Sequence, residues 1–179
     1  MKGLKSTLII AVLCVASSCS TNQTTKEKID LLEEKLYSNK NESIDKSNAT
    51  NLINAYIEFA DNNTGDTLSA EYLFKAGEVA MGLSESEKSI SCYNRVHTEY
   101  PNYKKASTAM FLEGFVYETQ LKTLAAAQKI YLDFIKKFPD HNLVDDAQFS
   151  LKNLGKSDEE IIKEFEAKQA ELEKQASVN

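Results

Sequence analysis

The residues that could do chemistry in this 179-residue chain are few and scattered. Its two histidines are His97 and His141, and its three cysteines are Cys14, Cys19 and Cys92. His141 lies close to Asp145 and Asp146, so one imidazole and two carboxylates could approach a metal ion. A zinc-type site draws on further His or Cys ligands, and none stands near, so no metal site is assigned. Cys92 falls between Ser89 and Tyr93 in an amphipathic stretch. That setting suits a small buried apolar residue, because a reactive thiol needs a cationic or dipolar neighbour. Neither a glycine-rich phosphate loop nor a GxSxG elbow occurs. The many carboxylates alternate with lysines along helix-like stretches, the pattern of solvated ion pairs. No catalytic residue and no cofactor is expected, and the chain does not read as an enzyme.

The elements around these residues read as helices. The chain is 42% hydrophobic, with only 2 Pro and 6 Gly, so it has core material and few breakers. Its formal net charge of −6 repels phosphate backbones, which argues against nucleic acid as a partner.

Leu73 to Pro139 carries one pattern twice. Its first pass holds Leu73, Ala76, Gly77, Ala80, Ser89, Tyr93, Val96 and Tyr100-Pro101. The second holds Phe111, Gly114, Tyr117, Ala127, Tyr131, Phe134 and Phe138-Pro139. A helical hairpin recurring with a period in the thirties, about 38 residues here, marks a repeat array. Small residues let two helices approach, aromatics fill the space behind them, and proline forces the preceding residue out of the α region. Around this core, Leu52, Ile53, Tyr56, Ile57 and Phe59 form an amphipathic helix that ends in the Asp61–Asp66 turn. Asp66 or Thr67 should cap the next helix. Ser84-x-x-Glu87 and Ser157-x-x-Glu160 both read as capping boxes. Gly155 suits the left-handed position after a helix.

Ile162, Phe165, Gln169, Leu172 and Ala176 are spaced three and four apart in the last helix. Two heptads are too few to hold a coiled coil alone. The expected role is a cap, with Ile161, Ile162 and Phe165 covering the open end of the array, as terminal repeats require.

The first residues form a targeting segment. Lys2 and Lys5 precede the nine-residue apolar run Leu8–Ala16, too short for a bilayer-spanning helix of about 20 residues. Ala16-Ser17-Ser18-Cys19 resembles a bacterial lipobox, which implies a signal peptide over 1–18 and acylation at Cys19. An ordinary secretory signal is the alternative. More than one acyl chain would anchor stably. The segment 19–47 then holds the lipidated cysteine, a polar tether over 20–25 and a short helix from Lys26 to Tyr37. Residues 48–155 form the repeat domain and 156–179 the last helix.

The two passes resemble tetratricopeptide repeats. More narrowly, Tyr131-Leu-Asp-Phe-Ile-Lys-Lys-Phe-Pro-Asp140 and His97-Thr-Glu-Tyr-Pro-Asn102 are similar to envelope lipoproteins of the BamD outer-membrane assembly type and the YbgF/CpoB type. The resemblance implies an all-α fold: a short right-handed superhelical array of antiparallel helix pairs with a C-terminal capping helix. It also implies a partner groove on the first helix of each pair, at Glu71, Phe74, Glu78, Met81, Thr108, Phe111, Phe115 and Glu118. Such a lipoprotein would sit on the periplasmic face of the outer membrane, held through Cys19, as a scaffold for an envelope protein or peptide. The alternative is a periplasmic glycan- or peptide-binding module without catalysis, which the lack of any Trp weakens.

Overall fold

The computed structural model describes residues 13–38 and 45–176, and within 13–23 and at 176 it describes the backbone alone. Eight helices cover the described residues, with no strand among them. They are α1 (Leu13–Tyr37), α2 (Lys46–Asn62), α3 (Thr67–Gly82), α4 (Ser86–Glu99), α5 (Ala106–Thr119), α6 (Leu124–Lys137), α7 (Val144–Asn153) and α8 (Asp158–Ala176). The expected all-α array of packed helix pairs is therefore what the chain forms. α1 begins earlier than the sequence suggests and runs through the stretch read as a tether. The leader expected over 1–18 lies largely outside the described residues.

Helix ends follow local chemistry. Asp45 caps α2 by accepting from the Ser47 and Asn48 amides at 2.8 and 3.3 Å. Asp66 caps α3 by accepting from the Leu68 amide at 2.9 Å. At α8 the capping box forms both ways: the Glu160 carboxylate accepts from the Ser157 amide, and the Ser157 hydroxyl from the Glu160 amide. Gly155 takes φ +83°, as expected after α7.

Ser84 corrects an expectation. It does not cap α4, whose N-terminal flanking residue is Glu85 without a side-chain bond. Ser84 sits at φ +59° instead, and the Glu85 amide reaches back to the Ala80 carbonyl at 2.9 Å. This six-to-one bond closes α3 in a Schellman-type turn. The serine therefore ends one helix rather than opening the next.

The chain divides into two compact units, Met1–Ala109 and Met110–Asn179. In the first, α1 packs on α2, α2 on α3, and α3 on α4. Ile29, Leu52, Ile53, Tyr56, Leu73, Tyr93 and Val96 are buried in it. Tyr72 stacks on Tyr56 at 5.2 Å between ring centroids and meets Phe59 edge-on at 4.9 Å. The core of the second unit is Met110, Ala127, Tyr131, Phe134 and Ala147.

One close approach recurs in both units. A Cβ added at Gly77 would lie 2.6 Å from the Tyr93 ring, and one at Gly114 would lie 3.0 Å from the Tyr131 ring. Glycine is required in the first case because the ring occupies the methyl's place. The Ser89 hydroxyl adds a bond to the Gly77 carbonyl at 2.9 Å, tying α4 to α3.

The last helix departs from its expected covering role. Ile161 is half-buried, but Ile162 and Phe165 remain 56% and 60% exposed. The ring contact of Phe165 is a tilted one with Phe149 at 6.5 Å, and Phe149 is itself exposed.

Gly77→Ala should destabilise the protein by about 1–3 kcal/mol, since overpacking outweighs the helix propensity gained. Gly114→Ala, with a few tenths of an ångström more room, should lie near neutral. Urea unfolding of both variants checks the order, and equal effects would contradict it.

Candidate binding site

In the first unit, the C-terminal ends of α1 and α3 form a cleft. Leu36 and Tyr37 line it from α1, and Glu78, Val79, Gly82 and Leu83 from α3 and the turn after it. Its volume is about 340 Å³, within the range of small ligand sites but also enough for one or two side chains of a peptide. Leu36 and Val79 are half-buried, whereas Tyr37, Glu78 and Gly82 are exposed.

Beside the cleft, one carboxylate ties α1 to both α2 and α3, adding to the buried Ile29 and the Lys28–Glu58 pair at 3.4 Å. Glu33 of α1 accepts the Tyr56 hydroxyl of α2 at 2.5 Å and the Lys75 ammonium of α3 at 2.9 Å. Burial pushes the Glu33 carboxyl up, yet the Tyr56 and Lys75 hydrogen bonds and the Lys75 charge together hold it below its ordinary value. Lys75 also lies 3.6 Å from Glu71 and 5.6 Å from the centre of the Tyr72 ring. Partial burial lowers its pKa, but Glu33 and Glu71 outweigh that and raise it.

The surrounding field is negative. Although the Tyr37 side chain is mostly exposed, partial desolvation of its hydroxyl and then the charges of Glu33 and Glu78 make it titrate high. Tyr103 is raised by burial and then by Glu71 and Glu78. Asp30 and Glu33 act on Tyr72 after burial has done so. The partial negative charge at the ends of α1 and α3 adds to this field. A cationic group beside an apolar anchor suits the cleft best.

The structure sorts the eight groove residues expected from the sequence. In the first unit, Glu71 is half-buried and engaged with Lys75, and Glu78 is exposed and lines the cleft. Met81 and Thr108 are half-buried. Phe74 is 2% exposed, its ring 5.7 Å from that of Tyr93 and 6.5 Å from that of Tyr103, with the Lys105 ammonium 4.3 Å above it. Phe74 is thus core, which corrects its placement on an open groove.

In the second unit, Phe111 packs on Tyr131 and Phe134 at 5.6 and 5.8 Å. Glu118 accepts the Tyr131 hydroxyl at 2.7 Å, and Phe115 stays exposed. Phe111 and Glu118 accordingly shape the interior. The cleft residues that sequence reasoning missed are Leu36, Tyr37, Val79, Gly82 and Leu83. The apolar face of the first helix was the available signal for Leu36 alone.

The chemical candidates are placed too. Cys92 is buried, and burial pushes its thiol up to about 11, which leaves it a poor nucleophile. His141 accepts from the Leu143 amide at 3.2 Å through Nδ1 and meets Phe134 edge-on at 5.4 Å, a turn-building role. Among the described residues, no group of three or more His, Cys, Asp or Glu could hold a metal ion. Nor, among them, is any helix long and apolar enough to cross a membrane. Cys19 is described only as part of the α1 backbone.

Two helical hairpins with a small residue at the crossing and an aromatic behind it define a helical-repeat protein. Residues 71–103 and 108–141 each match the family model of the tetratricopeptide repeat. These spans contain α4 and α6 whole, with most of α3 and of α5 before them. A search of curated proteins finds no match to the chain.

Glu33→Ala should cost about 1–3 kcal/mol, because it leaves the buried Tyr56 hydroxyl without its acceptor. The Glu33 carboxyl titrates below its ordinary 4.5 in the folded chain, so its contribution is complete above that value. It disappears as the pH falls through the lower folded value. Urea unfolding at pH 7 and at pH 3–4 should show this loss in the wild type and a flatter profile in Glu33→Gln.

Proposed function

We propose that this chain is a lipid-anchored scaffold that gathers protein partners in a bacterial cell envelope. Tetratricopeptide repeats are, in general, surfaces for protein partners rather than sites of catalysis. The observation that carries the reading is the cleft at the ends of α1 and α3. Its apolar walls at Leu36, Val79 and Leu83 and its acidic lip at Glu78 fit an extended segment with an aliphatic anchor next to a Lys or Arg. The proposed anchor is Cys19, after cleavage of a leader over 1–18. The proposed address is the periplasmic face of the outer membrane, with a role like that of the BamD- and CpoB-type lipoproteins. Support for the anchor comes from Ala16-Ser17-Ser18-Cys19 and from the short apolar run before it.

The two parts separate experimentally. Wild-type protein should stay with membranes through a high-salt wash, and Cys19→Ala should be released; retention of Cys19→Ala would defeat the anchor. A photo-crosslinking residue placed at Glu78 should capture a protein in cells. Tyr37→Ser should abolish that capture. If no protein is captured, or if capture is indifferent to Tyr37, the cleft is not the partner site.

A further inference from the structure

The last helix carries an exposed apolar seam with charge along one side. Ile162, Phe165 and Leu172 are 56%, 60% and 56% exposed, and Phe149 of α7 lies beside Phe165. These positions follow a heptad spacing in which Ile162 and Gln169 share one register position, and Phe165 and Leu172 the other. Over the 19 residues of α8, about 28 Å of helix, the seam is long enough to receive a second helix of about three to five turns.

What lies beside the seam decides what can cover it. Directly along one flank stand Glu159, Glu166 and Glu173, one every seven residues and all exposed. The other flank holds Ile161, Lys168 and Gln175. A second copy of α8 satisfies this pattern poorly. Antiparallel pairing sets the glutamate flank against itself and Lys168 against Lys168. Parallel pairing gives one complementary contact, Lys168 with Glu173, while it stacks the acidic starts Asp158-Glu159-Glu160 on each other and buries Gln169 against Gln169. Like charges across such a seam oppose association.

We propose that α8 is a docking strip for a partner's amphipathic helix with an apolar seam flanked by Lys or Arg. The partner's basic column faces Glu159, Glu166 and Glu173, and its apolar residues cover Ile162, Phe165 and Leu172. All of its residues belong to the second unit and none lines the α1–α3 cleft, so the proposal does not depend on that cleft.

The test measures fluorescence anisotropy of labelled three-heptad peptides against the full chain. One peptide has Leu at both seam positions and Lys on both flanks. A second has Glu on the flanks, and a third is a scramble of the first with equal charge and no seam. The Lys-flanked peptide should bind at least about tenfold more tightly than either control. Glu166→Lys with Glu173→Lys should invert the preference toward the Glu-flanked peptide, while Tyr37→Ser should leave it unchanged. Circular dichroism establishes that each variant is folded. No binding, or equal binding of the scramble, overturns the proposal. Sedimentation showing a dimer that Phe165→Ser abolishes would overturn it in favour of self-pairing.

Discussion

Each repeat is organised around a tyrosine ring packed against a glycine, so closely in the first that no methyl group fits. Gly77 admits Tyr93, and Gly114 admits Tyr131. The ring fills the helix crossing, and neighbouring residues then take their places around it. The two copies differ in how they treat the hydroxyl. Four residues beyond the glycine stands Glu118 in one copy and Met81 in the other. Glu118 accepts the Tyr131 hydroxyl, whereas the buried Tyr93 hydroxyl has no partner of good geometry, the nearby Ser89 hydroxyl being given to Gly77. An orphaned buried hydroxyl costs about 1–3 kcal/mol. The first repeat thus keeps the same aromatic packing without the carboxylate that Glu118 supplies in the second.

In the first unit, polar chemistry adds what repeat packing does not. Among the described side chains of α1, Ile29 is fully buried and Leu32 and Leu36 are half-buried. Glu33 helps to fix α1 by bonding two helices at once, and those two bonds with the Lys75 charge keep the carboxylate ionised against the effect of its burial. The cleft at the ends of α1 and α3 lies about one helical turn beyond that attachment. Its acidic character comes from the same set of residues, Glu33, Glu71 and Glu78, with Lys75 as the internal counter-charge.

The helices were legible because their apolar residues recur at three and four and because Asp66, Ser157, Gly155 and the two prolines mark their ends. Ser84 was misread since a serine three residues before a glutamate looks the same whether it opens a helix or closes one. The choice was made by the Glu85 amide reaching Ala80, a contact that spacing does not reveal. Phe74 was ambiguous for a related reason: an aromatic on a first helix can face a groove or a neighbouring ring, and Tyr93 and Tyr103 decided it. The cleft was hidden because Tyr37 and Glu78 are some forty residues apart, and no local pattern links them. The heptad of α8 was visible, but its exposure was not.

The grip on Glu33 also has a mechanical side. Tyr56 and Lys75 hold the same carboxylate from two different helices, so a pull along α1 strains both bonds together. Bonds loaded in parallel share a force, while bonds loaded in series break one at a time. The part of α1 that follows Cys19 is continuous helix as far as Tyr37, and such a rod would transmit tension to this junction with little slack. A force along α1 would thus fall on Tyr56 and Lys75 together, with Glu33 as the rivet.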